Sequence, residues 1–69
     1  MEQNELENIF TYHPVKEGQD EKYKALRARG LEMAQLIFEL CPSSRERSVA
    51  ITKLQEVIMF SNASIAIHE

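Results

Sequence analysis

The stretch Gln19–Glu46, QDEKYKALRARGLEMAQLIFELCPSSRE, decides the fold. From Gln19 to Leu40 the residues Tyr23, Leu26, Gly30, Met33, Ile37 and Leu40 recur at alternating three- and four-residue steps. That spacing lines one face of a helix and predicts about six helical turns over 19–40. Cys41-Pro42-Ser43 then interrupts it, because a residue that precedes proline avoids the helical region. Ser43 with Glu46 forms the S-x-x-E signature that opens a new helix. A break this short makes the two helices pack antiparallel. Gly30 lies inside the apolar stripe, where glycine costs about 1 kcal/mol relative to alanine. It therefore predicts a close backbone neighbour or a bend.

On the C-terminal side the second helix extends over about 44–66 and turns Ala50, Leu54, Val57, Ile58 and Ile65 toward its hairpin partner. Val57-Ile58-Met59-Phe60 breaks this pattern, since four consecutive residues at about 100° per step wrap most of the helix circumference. A two-helix hairpin covers only one stripe, so a second surface is expected to cover the rest. On the N-terminal side, Asn4 and Glu7 resemble a capping box ahead of Leu6, Ile9 and Phe10, which predicts a short helix over about 4–11. His13-Pro14 stops it, and a loop follows over 12–18. Strand signals, repeats and linkers are absent. The fold expected is all-α and one domain over 1–69: a short N-terminal helix, then a long antiparallel helical hairpin, in an oligomer.

Size supports the last point. A chain of 69 residues is near the lower limit at which one core outweighs the entropy lost on folding. Cys41 is the only cysteine, so disulfides cannot help, and no Cys/His set has zinc spacing. Association of protomers is the remaining route. Cys41 itself reads as a buried structural residue at a helix end. The net charge of −3 disfavours a nucleic-acid polymer, which is bound chiefly by phosphate neutralisation, but leaves room for a small anion at a local cluster of cations. The acidic, polar start and the short apolar runs predict a soluble, unprocessed, cytoplasmic protein with no membrane contact.

Catalysis is hard to build from these residues. There is no HExxH pair, no glycine-rich phosphate loop and no Ser/His/Asp set, so neither enzyme activity nor a metal or cofactor is expected. The informative group spans the loop and the first turns of the helix after it: Tyr12, His13 and Pro14 beside Lys16, Lys22, Lys24, Arg27 and Arg29. An aromatic ring stacks a base while neighbouring cations hold its phosphate. Chemistry alone favours a plainer reading, in which Tyr12 packs across the hairpin and the cations solvate a surface. Arg45 and Arg47 open the last helix, where cations are unfavourable, so they are expected to answer carboxylates such as Glu46 or groups on a neighbouring protomer. Asn62-Ala63-Ser64 presents small polar residues where helices can approach closely.

Four strings, F-T-Y-H-P-x-K-x-G-Q at 10–19, L-C-P-S-S-R-E-R-S at 40–48, T-K-L-Q-E at 52–56 and N-A-S-I-A at 62–66, stand in an order and spacing that together resemble one family. The chain is similar to the phage anti-CBASS sponge proteins, small helical hexamers that sequester the cyclic oligonucleotides made by bacterial immune cyclases. The resemblance covers nearly the whole chain, from about Phe10 to Glu69. It implies binding without cleavage in the cytoplasm of an infected bacterium, so that the signal never reaches its effector. It also implies that Tyr12, flanked by His13 and Pro14, stacks on a base of a cyclic dinucleotide. Arg27, or else Lys24, pairs with the phosphates. Cyclic trinucleotides are implied at a separate place between protomers, with Lys53 as a candidate.

One position departs from the family pattern. Where N-A-S-I-A is expected to continue with an arginine that reaches a phosphate, this chain has Ile67. Loss of such charge-assisted bonds costs about 1.5–3 kcal/mol, roughly one to two decades of affinity. Weakened dinucleotide binding or a trinucleotide preference is the expected result. The competing reading is a small helical adaptor that binds a host protein through the apolar surface around Phe60. A DNA-binding regulator is disfavoured by the acidic balance and the lack of a helix-turn-helix pattern.

Overall fold

The computed structural model describes residues 1–69 and is all-helical. Helix α1 spans Gln3–Ile9, α2 spans Gln19–Leu40 and α3 spans Arg45–His68. Helices α2 and α3 pack together over their length. Phe38 of α2 meets Arg47 of α3, Gly30 meets Ile58, and Gln19 reaches Ile65, so late residues of one helix face early residues of the other and the pair is antiparallel.

The hairpin closes at Gly30. A Cβ built there would stand 2.9 Å from Ile58 Cγ1, nearer than side-chain carbons approach, while α2 continues unbroken through this position. The glycine therefore admits a close neighbour and is not a bend. Tyr23, Leu26 and Ile37 of α2 are half-buried against the partner helix, as are Ala50, Leu54, Ile58 and Ile65 of α3. Met33, Leu40 and Val57, expected on the same seam, are exposed instead. A single antiparallel contact covers a narrower arc than the full apolar stripe.

Both helix starts differ from expectation in register. Helix α1 begins one residue before the Asn4–Glu7 box, so the box does not form: Asn4 Oδ1 accepts from the Glu5 amide and Glu7 accepts from the Gln3 side chain. It ends at Ile9, two residues earlier than expected, where the Thr11 hydroxyl donates to the Glu7 carbonyl at 2.5 Å. In α3 the cap is Ser44, not Ser43, with its Oγ accepting from the Arg47 amide at 3.1 Å. Arg47 thus falls at the third helical position, where the capping box has a carboxylate, and its side chain takes another course.

That course ties the hairpin turn. Arg47 Nη1 donates to the carbonyls of Phe38 and Cys41, both at 3.3 Å, and its guanidinium lies 4.1 Å from the Phe38 ring centroid. It answers the unpaired carbonyls at the end of α2 rather than a carboxylate. Arg45 does pair with Glu46, at 3.6 Å. Cys41, expected to be buried, is exposed at the C-cap of α2, because the turn is too short to fold back over it. Arg47→Ala removes two charge-assisted hydrogen bonds and a cation–π contact, and is expected to cost about 1–2 kcal/mol at this exposed turn. Urea denaturation followed by circular dichroism measures it, with Arg45→Ala as a control expected to stay within about 0.5 kcal/mol.

Ahead of α2, Lys16–Gln19 form a β-turn closed by the Gln19 amide donating to the Lys16 carbonyl at 3.1 Å. Gly18 occupies its third place at φ 85, ψ −17, the conformation of a type II turn that favours glycine.

Within one chain this fold has no apolar core. Only Gln19 and Gly30 are buried, and no hydrophobic side chain is. The molecule is a plate of 45 × 28 × 13 Å, one helix thick. Its radius of gyration is 15.3 Å where a compact chain of this length has about 11 Å. Its accessible surface is 5723 Å², against about 4,500 Å² for a compact monomer of 8.0 kDa. In the band Val57–Phe60 only Ile58 turns inward, whereas Val57, Met59 and Phe60 are 57%, 59% and 73% exposed.

Candidate functional site

Tyr12 stands in the loop between α1 and α2, 83% exposed and without a hydrogen bond of its own. The reading in which it packs across the hairpin is overturned, because residues on both sides of it are tied down while the ring projects outward. His13 directs Nε2 at the Asn8 carbonyl, 2.7 Å away, and is half-buried; Pro14 is exposed. Asn8 Nδ2 in turn donates to the carbonyl of Ile67 at 3.1 Å. His13 thus braces the loop from behind Tyr12.

Seven of the eight basic residues already have partners. Lys22 holds the Glu69 carboxylate and Lys16 the Glu69 main-chain oxygen at 2.9 Å. Lys24 pairs with Asp20 at 3.0 Å, Arg29 with Glu32 at 3.0 Å, Arg45 with Glu46, and Lys53 with Glu56 at 3.5 Å. Arg47 is spent on carbonyls. Arg27 alone has no carboxylate or carbonyl partner. The two neighbouring candidates, of which the resemblance put Arg27 first and Lys24 second, differ here: Lys24 is paired, Arg27 is not. Near the chain end, the hydrogen bond from Lys22 holds the Glu69 carboxyl below its ordinary value, aided by the charges of Lys22 and Lys16 and the Gln19 side chain and opposed by partial desolvation.

Arg27 borders a groove of about 370 Å³ along the hairpin, floored by Gly30, Leu54 and Ile58 and edged by Leu31, Met59 and Asn62. Asn62 Oδ1 is buried there and finds no donor within the chain. At Ala34 and Ile51 this groove runs into a second cleft of about 520 Å³ beside Phe38 and Arg47. No group of three or more His, Cys, Asp or Glu side chains is placed to hold a metal ion, and no helix is long and apolar enough to cross a membrane.

The fold brings some sequence-selected residues together and leaves others apart. Tyr12, His13 and Pro14 share one loop anchored on the end of α3. Arg27 lies eight residues into α2, about 12 Å along its axis. No hydrogen bond or ion pair joins it, Lys24 or Lys53 to Tyr12. Lys53 is on α3, exposed, and paired locally with Glu56. Ile67 is half-buried and meets α1 through its carbonyl. Sequence reasoning did not single out Gln19, the one buried polar side chain, nor Asn8; the only signal was the place of Gln19 at the end of the 10–19 string.

A helical hairpin without its own core, carrying an outward aromatic loop and one unpaired arginine on an open groove, defines a small helical-hairpin protein built around surfaces rather than an enclosed reaction site. The chain belongs to the Acb2/Tad1 hairpin domain family, whose model matches residues 2–66; this is the anti-CBASS cyclic oligonucleotide sponge family. Its members are binding proteins rather than enzymes. No curated protein and no solved structure matches the chain.

Proposed function

We propose that this protein sequesters cyclic oligonucleotide immune signals, without cleaving them, in the cytoplasm of an infected bacterium and so silences CBASS defence. The observation that carries this reading for this chain is the pair of free groups. Tyr12 offers an unobstructed aromatic face, and Arg27 is the one cation whose charge is not already answered. A base and its phosphate are what such a pair suits. Because the two do not meet within one chain, the pocket is closed by further copies, a hexamer by family resemblance. The surplus surface and the lack of a core support that assembly.

Lys24, His13 and Pro14 contribute around the dinucleotide, and Lys53 to a separate trinucleotide site between protomers. Ile67 offers no charge to a phosphate, so cyclic trinucleotides are bound in preference to dinucleotides. A thermal-shift and calorimetric screen against cyclic di- and trinucleotides tests the reading, with Lys53→Ala included. Saturable binding with the ligand recovered intact after denaturation is the expected result. No shift and no heat with any ligand overturns it, and recovery of linear products makes the protein a nuclease.

The adaptor reading has one observation in its favour, the exposed Val57, Met59 and Phe60 surface. It predicts that a host protein, rather than a second copy, covers those residues.

A further inference from the structure

The most buried side chain of this molecule is a glutamine. Gln19 is 2% exposed, and both ends of its amide are engaged. Oε1 accepts from the Lys16 amide at 2.9 Å, and Nε2 donates to the Ile65 carbonyl at 3.5 Å. The last carbonyls of a helix have no partner within it. At the end of α3 the Ile67 carbonyl is met by Asn8 and the Glu69 main-chain oxygen by Lys16, while Gln19 reaches the Ile65 carbonyl, which also accepts from the Glu69 amide at 3.1 Å. Asn8 precedes the segment that holds Tyr12, and Lys16 and Gln19 follow it. The type II turn at Gly18 brings the Gln19 amide under the Lys16 backbone. The loop is thus pinned on both flanks to one helix end, with Tyr12 projecting between the pins.

We propose that Gln19, seconded by Asn8, is a positioning residue for Tyr12: it clamps the aromatic loop to the end of α3 and presents the ring in a fixed place. The consequence for ligand rests on the reading of Tyr12 as the base-stacking group; the clamp itself does not. Gln19 touches no ligand and acts only through the loop. Charge plays little part, since Gln19 and Asn8 are neutral, so the clamp persists at salt concentrations that weaken the Lys22–Glu69 pair.

The test uses the full chain with Gln19→Met, which keeps the length and apolar stem of the side chain but removes both hydrogen bonds. Sedimentation and circular dichroism are expected to match the parent protein. The Lys16 amide is expected to exchange with solvent about tenfold faster, the loss of one buried hydrogen bond. Affinity for 3′,3′-cyclic di-GMP, the probe of the Tyr12 site, is expected to fall about tenfold, while that for cyclic tri-AMP, the probe of the separate site, is expected to stay parent-like. In the double variant with Tyr12→Ala the loss is expected to be no greater than with Tyr12→Ala alone, since a positioning residue has nothing left to position. A packing role alone would be rescued by methionine.

Parent-like Lys16 exchange overturns the clamp, as does unchanged affinity of Gln19→Met for cyclic di-GMP where the parent binds it, or an additive loss in the double variant. If Gln19→Met does not assemble, Asn8→Ala takes its place, with the same direction expected in both measurements and parent-like values in both overturning the proposal. If the parent protein binds neither probe and gives no response in the wider screen, the sponge reading fails, while the exchange arm still decides whether Gln19 holds the loop.

Discussion

Phe60→Asp is expected to turn an assembled, helical protein into a largely unfolded chain. Phe60 is 73% exposed in the single chain, and Val57 and Met59 flank it around the helix, both exposed as well. In the proposed assembly this side is covered by another copy. Placing a carboxylate there costs several kcal/mol, because an ion must leave water without a partner. A small domain has about 5–15 kcal/mol of stability in total, and here much of it comes from association. Sedimentation is expected to show loss of the oligomer, and circular dichroism loss of helix. The melting temperature of the parent protein is expected to rise with its concentration. If Phe60 faces water in solution, the substitution changes stability by no more than about 0.5 kcal/mol, and the proposed assembly is wrong. If mass and helix are retained while a host protein is no longer bound, the adaptor reading prevails.

Arg27→Ala is expected to lower affinity for a bound cyclic nucleotide by about 1.5–3 kcal/mol, or ten- to a hundredfold. Lys24→Ala is expected to change it far less, although only three residues separate them, because the Lys24 ammonium already pairs with Asp20 at 3.0 Å. Arg27→Lys is expected to recover part of the loss, since an ammonium keeps the charge but not the bidentate fork. Tyr12→Ala is expected to cost about 1–3 kcal/mol through lost stacking. Calorimetry on the four variants measures these together. Equal losses at Arg27 and Lys24 would show a diffuse field rather than a direct contact. Parent-like binding by both Arg27→Ala and Tyr12→Ala would remove the proposed site.

The local parts of this fold were legible because they depend on near neighbours in sequence. The stripe from Tyr23 through Ile37 set the length of α2, and Pro42 set its end. Caps were less legible, since Ser43 and Ser44 are adjacent and equally able to cap. Ser44 does so, and the same register lets Arg47 reach the carbonyls across the turn. Met33, Leu40 and Val57 were placed on the hairpin seam because periodicity shows which residues share a face, and not how wide an arc a single partner helix covers.

For the site, sequence alone supplied the chemical types: an aromatic loop followed by a run of cations, and a family pattern extending over most of the chain. It could not choose among the cations. Asp20 and Glu32 stand one helical turn from Lys24 and Arg29, but only the fold shows that Lys16 and Lys22 are answered, because Glu69 is far from both in sequence yet next to them in space. The same is true of Gln19 and Asn8, whose partners lie at the opposite end of the chain. The sequence by itself determined a helical hairpin, its turn, a seam glycine that calls for a close neighbour or a bend, and a band too apolar for one hairpin to cover. Tertiary structure decided that Tyr12 projects, that Arg27 is left unpaired, and that a buried glutamine holds the loop. The physical reason is range: helix formation is governed by neighbours three and four residues apart, whereas the Lys22–Glu69 pair and the loop anchors join residues that only folding brings together.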